Sequence, residues 1–244
     1  MRCAWRALAR GVVALASSPA PTRRRARCAT MRATPPVRDG GGGDGDDDAT
    51  ATAYSRTMKW LDEFIIAKDV CPFARAPREA LDPHGLDVHV IPDAALESVV
   101  ESVVARALEL QRTVADGRFH RRGGKTTLVV APQCVDLASF DAFLDVIHVC
   151  EGVFADVGLE GDVQVVGFHP EFAFFGEDAT DAAAFTNRSP YAMFHLLREC
   201  DVARASGERD VGELLDRNAS MLREIGSARL AEDLARLRRG DFDA

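Results

Sequence analysis

The sequence predicts an α/β fold: a small, mostly parallel sheet of three to four strands with covering helices and a helical C-terminus. Two observations predict it. Short β-branched runs alternate with amphipathic segments of about twenty residues, the spacing that parallel strand–helix–strand crossovers require. Each of the three runs also ends at proline, in VIPD, VAPQ and GFHP, and proline cannot continue a hydrogen-bonded ladder.

In chain order, Tyr54, Met58, Leu61 and Ile65 fall at helical spacing, so a helix is expected over about 52–69. Pro72 stops it just after Cys71. Leu86 to Ile91 alternates like a strand, and Asp93 can cap the next helix, whose apolar face is Leu96, Val99, Val103, Ala107, Leu110 and Val114. A basic loop, Arg118 to Lys125, leads to the strand Thr126 to Ala131. Phe140, Phe143, Ile147, Cys150, Phe154 and Val157 mark a third helix, and Val163 to Phe168 a third strand. Glu171 to Phe175 is read as a short fourth strand. Ser189 suits an N-cap and Pro190 a first helical position, so about 190–204 is read as helix. Two further helices, roughly 211–224 and 227–239, close the chain.

The first 38 residues hold nine arginines, no lysine and no acid. That is the composition of an organelle transit peptide, for a chloroplast or alternatively a mitochondrion. Val12 to Ala16 is too short an apolar run for a secretory signal. Residues 39–51 begin DGGGGDGDDD and read as a flexible acidic linker, which leaves 52–240 as a single α/β domain. The whole chain carries 30 basic and 38 acidic residues; without the nine arginines the balance is 21 against 38, net −17. A body this acidic repels nucleic acid and anionic lipid, so an anionic ligand needs a local positive pocket. No apolar run reaches the length of a membrane span. Cys71, Cys134, Cys150 and Cys200 are far apart with no CxxC, the pattern of reduced thiols rather than a disulfide framework or zinc cluster.

The chemistry concentrates between Gln164 and Glu199. In a parallel sheet His169 lies on the rim where open α/β sheets bind ligands, although a lone histidine also serves as a satisfied core residue. Asn187-Arg188-Ser189-Pro190 offers backbone N–H groups, a hydroxyl and a guanidinium at an expected helix start, a good setting for phosphate or carboxylate. Capping alone accounts for Ser189 and Pro190. On a helix, Tyr191, His195 and Arg198 share one face with Glu199 beside them, and His195 and Glu199 stand at i, i+4. That spacing suits two ligands of a metal, but a third is not defined, and no structural metal is expected. Gly123 to Thr127 ends like a phosphate-binding P-loop but precedes a strand, so it is read as a turn. Cys71 lies at a helix C-terminus, where the dipole disfavours a thiolate.

Trp60 with Cys71-Pro72-Phe73, then Phe168-His169-Pro170, then Thr186-Asn187-Arg188-Ser189-Pro190-Tyr191 followed by His195-Leu196-Leu197-Arg198-Glu199 together resemble an uncharacterised bacterial and plastid family, domain of unknown function 1415. The resemblance spans about 54–225 and rests on three motifs in order. Ala192 departs from it, where the family favours a second proline. It implies a single-domain α/β protein with a shared site and brings no settled activity. The residues themselves point to an enzyme for a small anionic metabolite, phosphorylated or not. Asn187, Arg188, Ser189, Tyr191 and Arg198 would hold the ligand, His169 or His195 would act as acid–base group, and Glu199 would orient. The alternative is a non-catalytic binding or assembly module built on the NRSP turn.

Overall fold

The computed structural model describes residues 44–71, 74–79, 85–115, 125–208 and 211–240. The expected transit peptide and the start of the linker lie outside them. The first helix, α1 (Asp44–Lys59), begins inside the segment expected to be linker and runs on into a π-helical stretch, Trp60–Ile66. After a short helix, α2 (Arg75–Glu79), come β1 (Leu86–Val90), α3 (Leu96–Ala115), β2 (Thr126–Ala131), α4 (Phe140–Val157) and β3 (Val163–Phe168). These match the sequence expectations closely.

The sheet does not. Its order is β1-β2-β4-β3, with β4 spanning Ala192–Arg198. β1 pairs parallel with β2, but β4 runs antiparallel to both β2 and β3. The sheet is therefore mixed and mostly antiparallel. β1, β2 and β3 still point the same way, as their helical crossovers demand; β4 inserts between β2 and β3 and reverses both pairings. Two local expectations fail with it. Residues 192–198 form a strand rather than the first turns of a helix, and helix α5 starts only at Glu199 (Glu199–Glu208). Glu171 to Phe175 forms a turn and irregular chain, not a fourth strand.

The reason is burial. β4 is a central strand, buried along one face and only partly exposed at His195 and Leu197 on the other, so AMFHLLR shows no clean alternation of apolar and polar residues. Its Ala, Met, Leu and Arg content also favours helix, and tertiary packing overrides that preference. Helices α6 (Val211–Ile225) and α7 (Ser227–Arg239) follow as expected.

Alternate side chains of β2, β3 and β4 enter two cores, while β1 contributes to one of them. On one face Val129, Val165, Phe194 and Leu196 pack with α3 and α4 through Val103, Ala107, Phe143 and Ile147. On the other face Leu128, Val130 and Met193 pack with Ala53 of α1, Trp60 and Phe64 of the π-helical stretch, Phe185 of the 3-10 turn Ala182–Thr186, Leu222 of α6, and Leu230 and Leu234 of α7. Gly167 marks the tightest approach: a Cβ there would sit 2.7 Å from Phe143 Cε1. Only hydrogen lets α4 lie this close to β3.

Candidate functional site

The segment after β3 and the segment before β4 meet at one end of the sheet, the rim where β1, β2 and β3 finish. His169 is buried there, and its amide donates to the Asn187 carbonyl at 3.1 Å. Its ring stacks on Phe143, with centroids 5.2 Å apart. Both ring nitrogens are used: Nδ1 accepts from the Glu171 amide at 3.0 Å, so Nε2 carries the proton and donates to the Leu137 carbonyl at 2.9 Å. Burial lowers its pKa, and the Leu137 bond only partly offsets that. His169 is a neutral, fully satisfied ring.

The NRSP turn is also tied into the fold. Asn187 Nδ2 donates to the Gly167 carbonyl, and the Ser189 hydroxyl to the Tyr191 carbonyl at 2.5 Å. Arg188 Nε donates to the Phe172 carbonyl at 3.0 Å and Nη2 to the Ala179 carbonyl at 2.6 Å, while the guanidinium covers the Phe185 ring at 4.5 Å. Trp60 Nε1 donates to the Arg188 carbonyl. Tyr191 OH accepts from Arg56 at 3.3 Å. The helix N-terminus expected at this turn does not exist, because the chain enters β4. His169 stacks in one core and Arg188 on an aromatic of the other.

His195 lies elsewhere. In β4 it pairs with Leu128 and Val166 and faces the core side that holds Met193 and Phe168, part-way down the sheet from the rim. Its Nε2 is 2.6 Å from Thr126 Oγ1, which itself donates to the Leu196 carbonyl at 2.9 Å. Nδ1 has no partner among the described residues, and the side chain is partly exposed. The ring nonetheless sits among apolar groups, Phe168 at 6.0 Å among them, and burial pushes its pKa down to about 4. Around it this face is half-covered: Leu86, Val88, Val166 and Leu197 are all partly exposed. Gln164 shares the face, diagonal to His195 across the β3–β4 pair, where separations run to roughly 7–8 Å. Its Nε2 is sealed from solvent without a partner.

Arg198 points to the opposite face. It is 2% exposed and pairs with Asp201, Nε to Oδ2 at 2.6 Å, with Nη2 2.5 Å from the same oxygen but poorly directed for a hydrogen bond. Nη1 reaches Thr113 Oγ1 on α3 at 3.3 Å. Glu199 opens α5, its amide bonded to the Asp162 carbonyl. The i, i+4 relation of His195 and Glu199 needs one helix through both, and a strand ends between them. Among the described residues no group of three or more His, Cys, Asp or Glu could hold a metal ion. Cys134 and Cys150 are buried, with burial raising both thiols, Cys150 to about 12; Cys71 and Cys200 are half-buried.

An open depression also lies between the 178–182 loop and the α6–α7 junction, lined by Asp178, Thr180, Asp181, Arg223 and Ser227. Its polar groups satisfy one another. Arg223 Nη2 donates to Asp181 Oδ2 at 2.7 Å, Ser227 Oγ to the Thr180 carbonyl, and the Ala183 amide to Asp181. The Arg223 and Ala183 hydrogen bonds hold Asp181 at about 2.

The residues singled out by spacing therefore separate into three places: His169 with residues 187–191 at the rim, His195 on one face, and Arg198 with Glu199 at the other end of β4. Thr126, Gln164 and Asp201 were missed. The signal for Thr126 and Gln164 was a polar side chain within an otherwise apolar strand. Fold and site together define a mixed α/β domain with one half-covered sheet face carrying a histidine. The chain belongs to the family described as protein of unknown function (DUF1415), whose model matches residues 52–232. No curated protein and no solved structure matches the chain.

Proposed function

We propose that the domain is an enzyme acting on a small metabolite bound over the half-covered sheet face, with His195 as the acid–base group. The observation that carries this is the unpartnered Nδ1 of His195, set against the fully bonded ring of His169. An imidazole held at one nitrogen and open at the other is the usual arrangement of a working histidine. Gln164, with a sealed amide nitrogen on the same face, adds support, because such orphan groups are rare in folded proteins. Phosphorylated and carboxylated metabolites remain the first class to test. Arg188, Asn187 and Ser189 serve the fold, so the charge of such a ligand would have to be met elsewhere. The arginine-rich, acid-free first 38 residues support delivery to a chloroplast, with a mitochondrion as the alternative.

The second reading, a non-catalytic binding module, draws on the low basicity of His195. A group with a pKa near 4 accepts a hydrogen bond at neutral pH without readily taking a proton. Thermal-shift screening of phosphate esters, carboxylates and polyols against wild type and His195→Gln tests site and class together. A ligand at one hundred times its dissociation constant adds about 2.7 kcal/mol. A hit that survives His195→Gln would move the site; a hit that is bound but never turned over would favour the second reading.

A further inference from the structure

Two short contacts join three atoms at the start of β2. Thr126 Oγ1 lies 2.9 Å from the Leu196 carbonyl oxygen and 2.6 Å from His195 Nε2. Each contact needs a proton between its heavy atoms. The carbonyl has none to give, and the hydroxyl has one. The second proton must come from the imidazole, which therefore carries it on Nε2 and leaves a lone pair on Nδ1. Thr126 is 5% exposed in a central strand, and turning its hydroxyl hydrogen to Nε2 instead would leave two oxygens 2.9 Å apart with no proton between them.

We infer that Thr126 is a positioning residue that holds His195 as the Nε2–H tautomer, so that the group meeting His195 on a ligand is a proton donor. Resting on the reading of His195 as the working group, this narrows the ligand class. A hydroxyl, amine or amide N–H fits against Nδ1; a carboxylate or phosphate oxygen without a proton would face a lone pair. An anionic metabolite would thus place a neutral hydroxyl or amine, not its charged group, at His195. If the group is a hydroxyl, the proton leaves its oxygen for Nδ1 and the imidazole becomes a cation whose Nε2–H stays bonded to Thr126. The electron pair of the broken O–H bond stays on the ligand oxygen.

The test uses the full chain with nitrogen-15 histidine and long-range proton–nitrogen spectra at neutral pH. His195 signals are assigned by their loss in His195→Gln. The expected result is a protonated Nε2 and an unprotonated Nδ1 in wild type, kept in Thr126→Ser and replaced by a mixture of tautomers in Thr126→Val. A wild-type spectrum with the proton on Nδ1 overturns the inference whether or not Thr126→Val folds. A Thr126→Val spectrum identical to wild type overturns the role of Thr126. These readouts need no ligand, so they stand apart from the ligand screen. There, hits confined to anions without hydroxyl, amine or amide N–H would refute the proposed ligand class.

Discussion

The amide of His169 donates to the carbonyl of Asn187 at 3.1 Å, and Asn187 Nδ2 returns a bond to the Gly167 carbonyl. This pair of bonds joins the end of β3 to the approach of β4. With the ring wedged between Leu137 and the Glu171 amide, His169 becomes a fastener where three chain segments meet. A residue used this way affects stability more than chemistry.

Replacing His169 by Ala should therefore cost about 3 kcal/mol, from a cavity beside Phe143 and two backbone groups left without partners. Denaturant unfolding measures it. A loss below about 1 kcal/mol would mean that the ring is dispensable to the fold and would return His169 to consideration as a chemical group.

Gly167→Ala should destabilise by about 1–3 kcal/mol, because its methyl would press on a buried Phe143 ring already stacked against His169. Phe143→Leu introduced with it should recover part of that loss. If the two costs simply add in a double-mutant cycle, the close contact is not the cause.

Where a helix buries one stripe, its pattern could be read: the apolar faces expected for α3 and α4 both appear in the structure. β4 could not be read this way, because apolar residues occupy both of its faces and its Ser-Pro entry also suits a helix start. That one segment carried both the pairing direction of the sheet and the supposed common face of Tyr191, His195 and Arg198. His169 and Asn187 meet because β3 ends and β4 begins at the same rim, whereas the sequence reading put a helix after Asn187. The division between bonded His169 and open His195 was not legible, because it depends on Leu137 and Thr126, each remote in sequence from the histidine it meets.

Stability should fall in mild acid. His195 has a folded pKa of about 4 against an ordinary value near 6.5, so between these values the unfolded chain binds the proton and the folded one does not. This contribution is complete above about pH 6.5 and is lost as pH falls towards 4, with a ceiling of about 3 kcal/mol. His169 acts in the same direction. The lowered carboxyls of Asp178 and Asp181 act only below the ordinary carboxylate range. Chemical denaturation from pH 7.5 to 4.5 should show the slope, and His195→Gln should flatten it. A flat wild-type profile would contradict a His195 ring held neutral by its largely apolar surroundings.

Arg188→Ala should loosen the loop it spans, since the Phe172 and Ala179 carbonyls lose their donor and Phe185 its cover. The expected cost is about 1–3 kcal/mol, with faster amide exchange over residues 172–181 than in β2. Arg188→Lys should rescue only in part, because a point ammonium cannot span both carbonyls and stack as well. Unchanged exchange in Arg188→Ala would show that the loop is held by other contacts.

The last prediction separates two ion pairs that share one carboxylate. Asp201 accepts from Arg198 on one oxygen and from Arg204 on the other at 2.9 Å. Arg198 is almost wholly buried, whereas the Arg204 side chain is 39% exposed. A cation out of water without its counter-ion is costly, while an exposed pair is worth little. Asp201→Ala should thus cost about 3–5 kcal/mol, chiefly by stranding the Arg198 charge, and Arg204→Ala should change stability by less than about 0.5 kcal/mol. Adding Arg198→Met to Asp201→Ala should then be less damaging than Asp201→Ala alone, since the stranded charge is gone and an apolar chain fills its place. Urea denaturation of the three variants decides it. If the double variant is the least stable, Arg198 contributes through its packing against α3 and Thr113 rather than through its charge, and the buried pair is not what fixes the junction of β4 and α5.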